Sequence, residues 1–135
     1  MMRVSNFSMV IAGLGALAVL GTSTAVLAAP PPPSGAALGK RIFLRCAACH
    51  AVSATAPRKV GPHLEGVVGR NSAAVAGFTY SPAMLAAKLR WDEATLNRWL
   101  TRPAAVVPGT SMVFAGLPDA ADRKAVIAYL KKPVS

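Results

Sequence analysis

Acidic residues are scarce in this chain. Five Asp and Glu stand against fifteen Lys and Arg, giving a formal net charge of +10 at pH 7. An excess of this size points to acidic partners: protein surfaces, nucleic acid or lipid. Cysteine and histidine are scarcer still, two of each, at Cys46, Cys49, His50 and His63. A structural zinc site needs four N or S donors, and the spacing of these four fits no common zinc pattern. Aromatics are few, with two Trp, two Tyr and four Phe. A large prosthetic group filling the core would help so small a domain bury enough surface. No second long apolar run follows Leu27, and no internal repeat, Gly-rich phosphate loop or strand-like alternation is found.

The first 28 residues read as a signal peptide. Arg3 supplies a short basic region, Met9 to Leu20 is apolar, and Val26-Leu27-Ala28 resembles a small-residue cleavage site. Cleavage after Ala28 is the first choice and after Ala29 the second. The alternative is an uncleaved anchor, since Phe7 to Ala28 is just long enough for a bilayer core of ~30 Å. Gly21-Thr22-Ser23-Thr24 interrupts that run, and cleavage is preferred. Export argues against nucleic acid as the partner. It leaves a periplasmic chain of 107 residues, enough for one small domain, with the net charge lowered to +9 by loss of Arg3. Residues 29–37 form a proline-rich tail with the Pro30–Pro33 run, and 38–135 form the folded domain.

What is present is Cys46-Ala47-Ala48-Cys49-His50, a C-x-x-C-H. This is the attachment signature of a c-type haem. Two thiols three positions apart can each add to one vinyl group of the porphyrin, forming two thioethers. His50 is then held against one face of the ring, where its imidazole can ligate iron. A redox dithiol or a simple disulfide would leave the adjacent histidine without a role.

Around this motif the pattern is helices and loops. Gly35 to Arg45 reads as a helix with Leu38, Ile42 and Phe43 on one face. Gly39 within it lowers helix propensity, and the best reason for it is close approach of another helix. Residues 51–64 read as loop, in which the Pro62 carbonyl is placed to accept from the free ring N–H of His50. Glycines 66, 69 and 77 mark turns. Ser81-Pro82 opens a short helix to about Lys88. Asp92 caps a second with Leu96, Trp99 and Leu100 as its stripe, stopped by Pro103. Residues 104–116 read as extended apolar loop. Asp119 to Lys132 is the last helix, with Val126, Tyr129 and Leu130 inward and its charges arranged favourably for the helix dipole.

A haem fixed by His50 has a second open face. Candidate donors are Met84, Met112 and His63. His63 reads as a surface loop histidine and Met84 as core packing. Met112 is best placed, in an apolar loop constrained by Pro108 and Gly109.

From Gly39 to Lys132 the chain resembles the class I c-type cytochromes, mitochondrial cytochrome c and its soluble bacterial relatives. The matching stretches are Gly39-Lys40-Arg41-Ile42-Phe43, the C-x-x-C-H, Gly61-Pro62, Gly66 to Arg70, Gly77-Phe78-Thr79-Tyr80, Trp91, Pro108 to Gly116 and Ile127 to Lys132. The resemblance implies a small all-α fold of four to five helices around one covalent haem c, with iron held by His50 and Met112. It implies that Arg70, Tyr80 and Trp91 satisfy the buried propionates, whose charge is costly if unmet. It implies that Gly39, Phe43, Val126 and Tyr129 form the crossing of the first and last helices, and that Phe114 shields the haem edge. There are departures. Trp99 stands where a tyrosine bonds the Met sulfur, and Met84 where asparagine is common. Ala104, Ala105 and Ser111 replace docking lysines, so positive charge must come from Arg45, Arg58, Lys59, Lys88 and Arg102.

The function implied is that of a one-electron carrier, not an enzyme. Its partners would be acidic redox proteins, a cytochrome reductase and oxidase or a dehydrogenase, met as a monomer without stable membrane insertion. The rival readings are an open-site enzyme or gas sensor and a membrane-anchored subunit. The motif makes one direct prediction. Cys49→Ala leaves at most one thioether, and Cys46→Ala combined with Cys49→Ala leaves none. Acid–organic extraction checks this, because haem that leaves the unmutated protein is not covalently held.

Overall fold

The computed structural model describes residues 35–133. The expected signal peptide and the first part of the proline-rich tail lie outside the described residues. The described residues form five helices in order: α1 Gly35–Ala47, α2 Pro82–Ala87, α3 Glu93–Thr101, α4 Pro103–Val106 and α5 Ala120–Lys131. Among the described residues there is no strand, only one isolated bridge between Asn71 and Arg90. The all-α expectation holds.

Local chemistry sets most of the helix ends. Ser81 accepts from the Met84 N–H and Pro82 starts α2, whose C-cap Lys88 is left-handed. Asp92 accepts from the Thr95 N–H at the start of α3. This bond holds the Asp92 carboxyl below its ordinary range. Asp119 accepts from the Ala121 and Asp122 N–H groups and opens α5. Helix α1 runs two residues past Arg45, so Cys46 lies in its last turn. The loop expected after Pro103 requires correction, because residues 103–106 form a helical turn. Proline ends α3 for want of an N–H, yet its fixed φ suits the first position of the next helix.

The core is where α1 and α3 meet α5. Leu96, Trp99 and Leu100 of α3 are buried with Val126, Ile127, Tyr129 and Leu130 of α5, as the apolar stripes require. Phe43 packs on Tyr129 with ring centroids 5.4 Å apart and planes tilted by 46°. Gly39 is buried at this crossing. A Cβ there would meet the Ala125 carbonyl oxygen and lie 2.7 Å from Tyr129 Cβ. Backbone against backbone leaves no room for a methyl group.

Gly39→Ala therefore sets two effects against each other. Helix propensity favours Ala by about 1 kcal/mol, while overpacking costs roughly 1–3 kcal/mol. Because backbone atoms must move, we expect a net loss of stability in urea unfolding. A variant as stable as the parent would show that the crossing yields easily.

Candidate functional site

The C-x-x-C-H is built on the end of α1. The Cys49 and His50 N–H groups donate back to the Cys46 carbonyl at 3.0 and 2.9 Å, closing the helix. Lys59 Nζ donates to the Ala47 carbonyl, placing a cation at the negative end of the helix dipole. Gly61 N–H donates to the Cys49 carbonyl at 2.8 Å, and Leu64 N–H to the Ala51 carbonyl at 2.7 Å. The loop that follows the motif thus folds back onto it.

That return positions His50. Its Nδ1 lies 2.8 Å from the Pro62 carbonyl. A carbonyl only accepts, so Nδ1 carries the proton and Nε2 keeps its lone pair in the neutral ring. Burial lowers the His50 pKa, with Lys59 adding to the effect and the Pro62 bond opposing it. The imidazole is therefore neutral at pH 7, as a metal donor must be. The ring lies against Gly61, where a Cβ would come within 2.7 Å of Nδ1. The sequence reading has Gly61-Pro62 as loop, with the Pro62 carbonyl as an acceptor. It missed that Gly61 is the floor under the ring, a role visible only once the loop is folded.

His50, Cys46, Cys49 and Met112 line one cavity of about 380 Å³, within the range of small-molecule and cofactor sites, ~300–1,000 Å³. Arg70, Tyr80 and Trp91 line the same cavity. Cys46 and Cys49 form no disulfide, and burial pushes the Cys46 thiol up, against the opposing charge of Arg45. The rest of the wall includes Met84, Leu96, Trp99, Leu100 and Phe114. Trp91 and Trp99 are buried and paired, with centroids 5.2 Å apart. Two thiols, a neutral imidazole, a thioether and a mainly apolar wall with two arginines, Arg45 and Arg70, fit a large flat iron porphyrin with acidic arms.

The polar end of this cavity is held by backbone bonds. Gly69 N–H donates to the Trp91 carbonyl and Trp91 N–H to the Arg70 carbonyl, each at 2.8 Å. Arg70 donates from its two terminal nitrogens to the Glu65 carbonyl at 2.6 Å and the His63 carbonyl at 3.1 Å. Burial lowers its pKa from the ordinary arginine value, while Tyr80 and Glu65 oppose that. Tyr80 Oη accepts from the Val75 N–H at 3.2 Å, which leaves its own hydrogen to donate. Its ring meets Phe78 edge-on at 4.7 Å.

His63 lies elsewhere. It lines a second cavity of about 520 Å³ between residues 51–63 and 75–79, with Arg58 and Lys59. The expected surface histidine is half-buried, and its Nδ1 is buried without a hydrogen-bond partner.

Comparison with known proteins identifies the family. The family model for cytochrome c matches residues 36–132. A cytochrome c2 from Rhodoblastus acidophilus is 47% identical over 94 residues, covering 70% of this chain and 88% of that protein. A cytochrome c from Gossypium barbadense is 45% identical over 102 residues, covering 75% and 92% respectively. Among solved structures, cytochrome cH from Methylobacterium extorquens superposes with a TM-score of 0.68 at 41% identity, covering 73% of this chain and 98% of its own. With a match across almost every described residue and a cavity that fits the group, the chain belongs to the cytochrome c family, electron-transfer proteins that carry covalently attached haem c.

Proposed function

We propose that this chain is an exported, periplasmic one-electron carrier. Cys46 and Cys49 would hold the haem by thioethers, His50 and Met112 would donate to its iron, and Arg70, Tyr80 and Trp91 would meet the propionates. When bound, the haem supplies a ferrous–ferric couple. The observation that carries the reading is the geometry of His50: Nδ1 donates to the Pro62 carbonyl, leaving Nε2 as the donor atom in a cavity that both cysteines and Met112 also line.

The chain's own residues set how such a centre behaves. A thioether donor at Met112 and a wall of buried Leu96, Trp99 and Leu100 both favour the less charged, reduced state. Met84 is buried where asparagine is common, which makes that wall more apolar still. Trp99 donates through its indole N–H and has no acceptor, so it cannot take the full part of a tyrosine hydroxyl. Buried side chains around the site exclude water, and carrying an electron needs no substrate pocket.

Partner choice follows from charge. Arg45, Arg58, Lys59, Lys88 and Arg102 are all exposed, and such a surface steers encounters with acidic redox proteins. No described helix is long and apolar enough to cross a membrane. Periplasmic residence rests on the sequence of the first 28 residues.

Two measurements test this reading. Met112→Ala should lower the reduction potential and admit cyanide and carbon monoxide quickly, whereas Met84→Leu, a swap of similar volume, should leave the donors in place. A parent that binds carbon monoxide as fast as Met112→Ala has no firm Met112 bond. Electron transfer with an acidic partner should slow as salt rises, since the Debye length falls from roughly 30 Å at 0.01 M to about 10 Å at 0.1 M. A rate that stays flat over that range would exclude electrostatic steering.

A further inference from the structure

The segment that carries Met112 makes few bonds of its own. At its start Thr110 N–H donates to the Val107 carbonyl at 3.1 Å, and Met112 N–H reaches Thr110 Oγ1 at 3.3 Å. Met112 is half-buried, and the next residue, Val113, is fully exposed. These two bonds, with partial packing of Met112 and Phe114 on the core, restrain the thioether only weakly.

The far end of the segment is different. Gly116 presses on the last turn of α3, where a Cβ would meet the Thr101 carbonyl oxygen. Leu117 N–H donates to the Leu100 carbonyl at 2.7 Å, and the Leu117 side chain is completely buried. Arg123 of α5 then ties this end to two helices. One terminal nitrogen donates to the Leu117 and Pro118 carbonyls, each at 2.7 Å. Its Nε donates to Asn97 Oδ1 of α3 at 2.8 Å. A planar guanidinium serves three acceptors in one fixed arrangement, which a lysine cannot copy.

We infer that Arg123 is a positioning residue for Met112, locking the end of the Met112 segment so that its thioether stays within reach of iron. The inference rests on Met112 being an iron donor. Donor-on and donor-off forms exchange, and whatever holds the segment in the on form raises its share. Arg123 acts on the backbone five and six residues beyond Met112 and does not line the haem cavity. Its hydrogen bonds are charge-assisted, the stronger kind.

The test uses the haem-loaded protein, well below its unfolding temperature. Three quantities are read: carbon monoxide association in the ferrous form, the sulfur-to-iron charge-transfer absorption in the ferric form, and hydrogen exchange at the Leu117 amide. Arg123→Ala should speed carbon monoxide association roughly tenfold, equivalent to about 1.4 kcal/mol, weaken the absorption and speed the exchange. Arg123→Lys should give an intermediate result, and it carries the test alone where the alanine variant does not fold. Asn97→Ala should move all three in the same direction by less. Glu93→Ala is the comparison: it breaks the Glu93–Lys131 ion pair, which also joins α3 to α5 but touches no carbonyl of the segment. It should leave all three at the parent's values. If Arg123→Ala and Arg123→Lys match Glu93→Ala in carbon monoxide association and absorption, Arg123 is only a helix tie and the inference is overturned. If Met112→Ala itself binds carbon monoxide at the parent rate, the donor reading fails, and this inference with it. Fast binding by Met112→Ala with parent rates in both Arg123 variants overturns this inference alone.

Discussion

Much of this structure depends on the close contact of α1 with α5 at Gly39. The glycine lets two backbones meet where any side chain would hold them apart. The contact fixes the direction in which α1 ends, and Cys46, Cys49 and His50 stand at that end. Helix α5 in turn packs on α3 and, through Arg123, grips the end of the segment that bears Met112. Both sides of the haem cavity therefore refer back to one helix. An error at the crossing would be transmitted to both proposed donors, because close-packed interiors pass strain on instead of absorbing it.

Charge is arranged so that the interior stays nearly free of it. The cations proposed for docking are on the surface, and Thr95 is the one buried polar residue among those described. Arg70 is the partial exception, half-buried and bonded to two carbonyls. A guanidinium at the edge of an apolar cavity is costly unless an acidic group joins it. This cost supports the proposal that Arg70 meets an acidic arm of the cofactor.

The helices agreed well with expectation because their causes are local. Ser81, Asp92 and Asp119 cap the residues just after them, and the stripes of α3 and α5 repeat at helical spacing. The four-residue α4 was missed because Pro103 carries two meanings, and its position between α3 and Val107 decided which applied. The nature of the site was similarly readable, since C-x-x-C-H holds its chemistry within five adjacent residues. Gly61 and Arg123 were not readable in their roles. Each acts on groups distant in sequence or on backbone carbonyls, which every residue possesses and no pattern marks.

By itself, then, the sequence determined the chemistry: two thiols beside a histidine, a basic surface, helices of known span and a methionine in an apolar loop. Tertiary structure alone decided the geometry. It set the proton of His50 on Nδ1 through the Pro62 carbonyl twelve residues away, and it placed His63 in a different cavity from His50. It also brought Arg123 to the carbonyls that end the Met112 segment. The physical reason is range. Caps, periodicity and covalent motifs act between residues a few positions apart, whereas cavities and backbone acceptors come into being only when distant stretches have packed.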